Sequence, residues 1–229
     1  MSSWSQQIEA DLKWREAELA TLKLHAIVSR NQTVAYKAAL RALWAMLYAH
    51  FEGFTKFCWE IAQDEIQREK IHRNALIDPV AIASLEPFFS NLRSDTSSAN
   101  LWGCFVNGLP NELASVAEFP AKYRLSTDSN LWPDVFSREC AKLGIKCSEL
   151  DVNEALMVAL VSRRNSIAHG ETMTIKSLQE YEPYENATVL VMHELAVAIV
   201  DLLEGRLYCK TSASAAGTGS SQSNAPVTI

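Results

Sequence analysis

Residues 34–61 read VAYKAALRALWAMLYAHFEGFTKFCWEI, and this run decides the fold class. Val34, Leu40, Leu43, Leu47, Phe51, Phe54, Cys58 and Ile61 recur mostly at three- and four-residue steps, the period of a helix with one apolar face. The pattern continues to about Lys70, well beyond the usual helix length. Gly53 in its middle costs about 1 kcal/mol relative to alanine, which points to close packing or a bend there. Tyr48, Glu52 and Lys56 are spaced by four and stack along another line of the same helix. Taken alone, that line reads as a solvated ladder with one Glu-to-Lys pair.

Working outward, Trp4, Ile8, Leu12, Trp14, Leu19, Leu22 and Ile27 predict a helix from Ser3 to about Val28. A polar break follows, with Thr33 as a candidate cap. Downstream, Asp78-Pro79 ends the second helical region, and 79–89 is expected to form a short helix. Residues 101–116 contain Gly103, Gly108 and Pro110 and are not expected to make one regular helix. Residues 126–130 are a turn-like polar cluster. Asp134–Leu143 reads as a helix stopped by Gly144. Asp151 and Glu154 have capping-box spacing, placing a helix start there, with an apolar run behind it. Pro183 fits the first turn of a last helix that reaches about Tyr208. Its core candidates are Val189, Met192, Leu195, Val197, Ile199, Leu202 and Leu203. Only eight glycines and seven prolines occur in 229 residues, which favours helices over many short strands. The expected organisation is one all-α domain over 1–210, with an irregular helical insertion over about 78–150. The stretch 211–229 is rich in Ser, Ala, Gly and Thr and is expected to be a disordered tail.

Bulk chemistry excludes several classes. The formal net charge of −6 lacks the basic excess of a broad nucleic-acid footprint, so any nucleic acid is expected at a small site. The five cysteines, Cys58, Cys104, Cys140, Cys147 and Cys209, include no C-x-x-C pair. They read as reduced thiols and not as a zinc site or disulfide framework. The N-terminus has no apolar h-region, so no signal peptide is expected. Leu195–Leu203 is broken by Asp201 and is too short to span a bilayer. A cytoplasmic protein without a membrane segment is therefore expected. No P-loop, G-x-S-x-G or dinucleotide fingerprint occurs, and His193-Glu194 lacks the second histidine of a zincin. No metal and no cofactor are expected.

The chemistry concentrates in Arg163-Arg164-Asn165-Ser166-Ile167-Ala168-His169-Gly170. Arg164 is a permanent planar cation that suits phosphate oxygens. His169 gives or takes a proton near neutrality. Asn165 precedes His169 by four, so an intact helix puts both on one face. Arg164 and His169 are five apart, about 140° around a regular helix. They converge only if the helix ends between them or if a second copy of the chain contributes. A cation and a titratable base without a metal suit RNA cleavage by the adjacent 2′-hydroxyl. The competing reading is structural: an Arg and a His near a helix C-terminus also complement its dipole and cap its carbonyls. His50 reads as an ordinary helix histidine.

Arg164-Asn165-Ser166-Ile167-Ala168-His169 resembles the R-N-x3-H form of the R-x4-6-H motif of HEPN domains. Tyr48-Ala49-His50-Phe51-Glu52-Gly53-Phe54 is similar to the early helix of the MAE_28990/MAE_18760-like HEPN nucleases. The resemblance covers roughly residues 5–208. It implies an up-and-down helical bundle with an insertion, a homodimer, and a composite cleft built from two facing motifs. Active members are metal-independent endoribonucleases of toxin–antitoxin and phage-defence (abortive infection) systems, which implies an RNA substrate and a cognate antitoxin or defence partner. Arg164, Asn165 and His169 carry over as catalytic residues, and Glu52 as the polar residue added by the early helix. Tyr48, His50, Lys56 and Arg163 accompany them as candidates for substrate contact. Some HEPN domains are non-catalytic protein- or nucleotide-binding modules, which is the alternative the resemblance leaves open.

Overall fold

A computed structural model describes residues 3–31, 33–171 and 175–211; the stretch expected to form a tail lies, beyond residue 211, outside them. Two long helices open the chain, α1 (Ser3–Val28) and α2 (Thr33–Arg68), close to the limits that the apolar periodicity predicts. A short 3-10 turn, Arg73–Ala75, leads to α3 (Asp78–Ser84) and α4 (Glu86–Ser94), so the expected single helix over 79–89 is two. Next come α5 (Ser98–Gly103), a π-helical turn (Cys104–Gly108) and α6 (Leu109–Ala114). The glycines and Pro110 of this segment change its helical winding without stopping it. After a loop containing the 3-10 turn Ala121–Tyr123 come α7 (Pro133–Lys142), α8 (Ser148–Ala168) and α9 (Leu178–Glu204). Gly144 follows α7 at φ +75°, the left-handed stop its position predicts.

The four long helices run up and down. On α1 and α9, Lys23 meets Glu185 and Glu16 meets His193, an antiparallel pairing. On α8 and α9, Ser148 meets Glu194 and Arg163 meets Glu180, again antiparallel. α2 sits at the centre against α1, α8 and α9. Its Leu40, Leu43, Trp44, Leu47, Phe51, Phe54 and Cys58 are buried, so nearly all of its apolar stripe is core. Val34 is exposed at its start. Val197, expected in the core of α9, is 59% exposed because that face of the helix turns outward. The helices between α2 and α8 add Leu76, Val80, Phe119, Leu131, Val135 and Phe136 to the same core.

Two local expectations are corrected by packing. Pro183 lies inside α9, not in its first turn, since Ser177 starts the helix by accepting from the Glu180 N–H. α9 is also long and apolar enough by length and composition to cross a membrane, although Leu195–Leu203 alone is too short. Its Val191, Met192, Leu195 and Ile199 are buried against the other helices. Gly53 reflects close packing: a Cβ there would lie 2.9 Å from Arg15 Nη1, so a larger residue would have to displace the Arg15 guanidinium.

Candidate active site

α8 carries the motif, and both its ends are tied down. At the start, the Glu194 carboxylate of α9 accepts from the N–H groups of Ser148 (2.8 Å) and Glu149 (2.7 Å). It also accepts from the Ser148 hydroxyl at 2.6 Å. A carboxylate at a helix N-terminus satisfies orphan donors and complements the dipole. The Asp151–Glu154 spacing therefore lies within α8, and the true cap comes from the facing helix. At the other end, His169 is the C-cap residue with φ −83°, and Gly170 follows at φ +76°. The Gly170 N–H donates to the Ile167 carbonyl at 3.1 Å and the Glu171 N–H to the Ser166 carbonyl at 2.9 Å. This is a Schellman ending, and glycine suits its left-handed position. Arg41 of α2 holds the turn from outside, donating to the Glu171 carbonyl at 3.0 Å.

The His169 N–H still donates to the Asn165 carbonyl at 2.9 Å, so the helix is unbroken from Arg164 to Ala168. Of the two routes by which Arg164 and His169 could converge, a helix end between them is thereby removed. The offset of about 140° stands within one chain. His169 is exposed, whereas Arg164 reaches inward.

Arg164 lies over the Tyr48 ring, 4.6 Å from its centroid, a cation–π contact. Its Nη1 donates to Asn130 Oδ1 at 2.8 Å and to Asn165 Oδ1 at 3.0 Å. Tyr48 is buried, and its hydroxyl accepts the Leu131 N–H at 2.8 Å. Burial pushes the Tyr48 phenol up to about 12, and neighbouring Glu52 adds to the rise against the opposing Leu131 bond and Arg164 charge. Tyr48 therefore keeps its proton at neutral pH. One turn on, Glu52 Oε1 accepts from the buried Thr127 hydroxyl at 2.8 Å and from Lys56 Nζ at 3.1 Å. Burial alone raises the Glu52 carboxyl, but hydrogen bonds from Thr127, Lys56 and Tyr48, with the Lys56 charge, bring it below its ordinary value. Glu52 is thus an ionised anchor.

The structure brings together Tyr48, Glu52, Lys56, Arg164 and Asn165. It adds Thr127, Asn130 and Leu131, which sequence reasoning missed. The polar composition of 126–130 announces a turn, but no local signal says that the turn docks on α2 and α8. Three candidates are placed elsewhere: His169, exposed at the end of α8, His50 and Arg163. His50 is buried on the α1 side of α2, with Nδ1 3.4 Å from Arg15 Nη1 and its ring edge-on to Trp14. Its Nε2 lies 2.9 Å from Glu18 Oε2, near enough to pair though poorly aligned for a hydrogen bond. Burial and then the Arg15 charge lower its pKa, against the opposing Glu18 and Asp11. Arg163 stacks over Trp44 (4.8 Å) and Tyr184 (5.2 Å) and donates to Glu180 at 2.8 Å, bracing α8 against α2 and α9. Among the described residues, no group of three His, Cys, Asp or Glu side chains is placed to hold a metal ion.

An up-and-down helical bundle that ends its third long helix in R-N-x3-H, opposite a Tyr–Glu line on a central helix, is a HEPN-type protein. The family model HEPN_MAE_28990/-like HEPN matches residues 4–208, and the chain belongs to this family. Membership supports a nuclease-like or nucleotide-binding module. No curated protein and no solved structure matches the chain.

Proposed function

We propose that the protein is a metal-independent endoribonuclease, acting on cytoplasmic RNA as the toxin of a toxin–antitoxin or abortive-infection system. The observation that carries this reading is the setting of Arg164. Its Nη1 hydrogens are taken by Asn130 and Asn165. Among the described residues, no group accepts from Nε or Nη2, so one edge of the fork is left for a substrate oxygen. In the reaction, the ribose 2′-oxygen forms a bond to phosphorus as the bond from phosphorus to the 5′-oxygen breaks. His169 takes the 2′-hydroxyl proton, and a proton returns to the leaving 5′-oxygen. Arg164 offsets charge on the non-bridging oxygens. The products are a 2′,3′-cyclic phosphate and a 5′-hydroxyl. Since His169 diverges from Arg164 on one helix, the working site takes the two groups from opposite copies of a homodimer. A cognate antitoxin would restrain it.

A second reading, a non-catalytic protein- or nucleotide-binding module, is favoured by the net charge of −6. One comparison separates the two. Expression of the wild type is expected to arrest growth, and purified protein to cleave RNA in EDTA with cyclic phosphate ends. His169→Ala and Arg164→Ala are expected to abolish both. A wild-type dimer that leaves diverse RNAs intact, with a biological effect that survives His169→Ala, would overturn the nuclease reading.

A further inference from the structure

One loop grips three residues of the candidate site. Thr127 donates to Glu52, the Leu131 N–H donates to Tyr48, and Asn130 accepts from Arg164. The loop joins the 3-10 turn Ala121–Tyr123 to α7 and is fixed independently of the Asn130 side chain. Leu131 is fully buried and Thr127 nearly so, and the Trp132 N–H donates to the Asn130 carbonyl at 2.9 Å.

The Asn130 contact has only one chemical sense. A guanidinium has donors and no acceptor, so the atom facing it is the amide oxygen. A guanidinium resting on an aromatic face is held at that height, but stacking alone fixes neither the direction of its edges nor rotation about the Nε–Cζ bond. The oxygens of Asn130 and Asn165 supply the in-plane reference by engaging Nη1. Nε and Nη2 share the opposite edge of the fork, whose spacing matches two oxygens of a phosphate. Asn165 is Arg164's neighbour on α8, whereas Asn130 reaches it from a separate segment.

We propose that Asn130 is a positioning residue: it fixes the rotation of Arg164 so that the Nε/Nη2 edge faces the scissile phosphodiester. The loop before α7 is thereby a wall of the site. The effect on rate rests on the ribonuclease reading; the positioning itself does not.

The test uses the full chain with Asn130→Leu, which removes the acceptor at similar size, and Asn130→Asp, which keeps it. In nitrogen-15 spectra of the arginine side chains, Arg164 is expected to show separate Nη1 and Nη2 signals in wild type and Asn130→Asp. In Asn130→Leu they are expected to merge. With a fluorophore–quencher single-stranded RNA of mixed sequence, Asn130→Leu is expected to lower kcat about tenfold or more with KM within about threefold. Asn130→Asp is expected to recover to within about threefold of wild type. Separate Arg164 signals in Asn130→Leu, or an Asn130→Leu kcat within about threefold of a wild type that cleaves RNA, would overturn the proposal. A wild type that holds Arg164 but cleaves no RNA sinks the ribonuclease reading and leaves the positioning supported.

Discussion

If Arg164 and His169 work from opposite copies, two dead variants should repair each other. The structural ground is the unbroken α8 between them: five residues at 100° each leave the side chains about 140° apart. Arg164 is drawn over Tyr48, while His169 is exposed at the end of the helix. Consider a dimer of one Arg164→Ala chain and one His169→Ala chain. One composite site receives both alanines. The other receives the intact Arg164 of one chain and the intact His169 of its partner. A two-fold dimer has two equivalent sites, so the mixed dimer is expected to keep about half the wild-type turnover, while each homodimer is inactive. Co-expression with two different tags and sequential purification isolates the mixed species. Cleavage of a labelled RNA in EDTA then gives turnover per dimer. If the mixed dimer is as inactive as its parents, each site uses both groups from one chain, and the angular argument is wrong. A strict monomer that cleaves RNA would refute it more directly.

Three further outcomes follow from the same contacts. Glu194→Ala removes the acceptor from the first two N–H groups of α8 and is expected to cost about 1–3 kcal/mol, seen as a lower Tm; an unchanged Tm would contradict the cap. Gly170→Ala has open space around it but a φ of +76°, so about 1–2 kcal/mol of conformational cost is expected in chemical denaturation. His50 has its pKa lowered in the folded state, chiefly by burial. The unfolded chain therefore binds the extra proton first, and stability present above the unfolded pKa of about 6.5 is lost as pH falls through the lower folded value. Denaturation at a series of pH values is expected to show a steeper acid loss for wild type than for His50→Gln; parallel curves would remove His50 from that role.

The long helices were legible because burial is periodic in sequence. The α2 stripe from Leu40 to Cys58 is core, and α1 spans Ser3–Val28 as its periodicity predicts. The R-N-x3-H run was legible because its chemistry is local. What was not legible depends on partners distant in the chain. The α8 start could not be found from Asp151–Glu154 because its cap is Glu194, supplied across the α8–α9 interface. Asn130 and Thr127 look like turn residues, and only docking on α2 and α8 shows that they touch the site. His50 and Glu52 are neighbours in sequence, but two residues on a helix turn about 200°, so one faces α1 while the other faces Thr127. Val197 matched the apolar period yet lies outside because α9 has a covered and an uncovered side.

Anchoring α8 at both ends has a consequence for insertions and deletions. The helix is pinned at Ser148–Glu149 by Glu194 and at Gly170–Glu171 by the Schellman turn and Arg41. Inserting or deleting one residue between those points would rotate everything on one side by about 100° relative to the other. Arg164 could then no longer lie over Tyr48 with Nη1 on Asn130 while both ends kept their partners. The segment can change in composition, but its length is set by the distance between two fixed points.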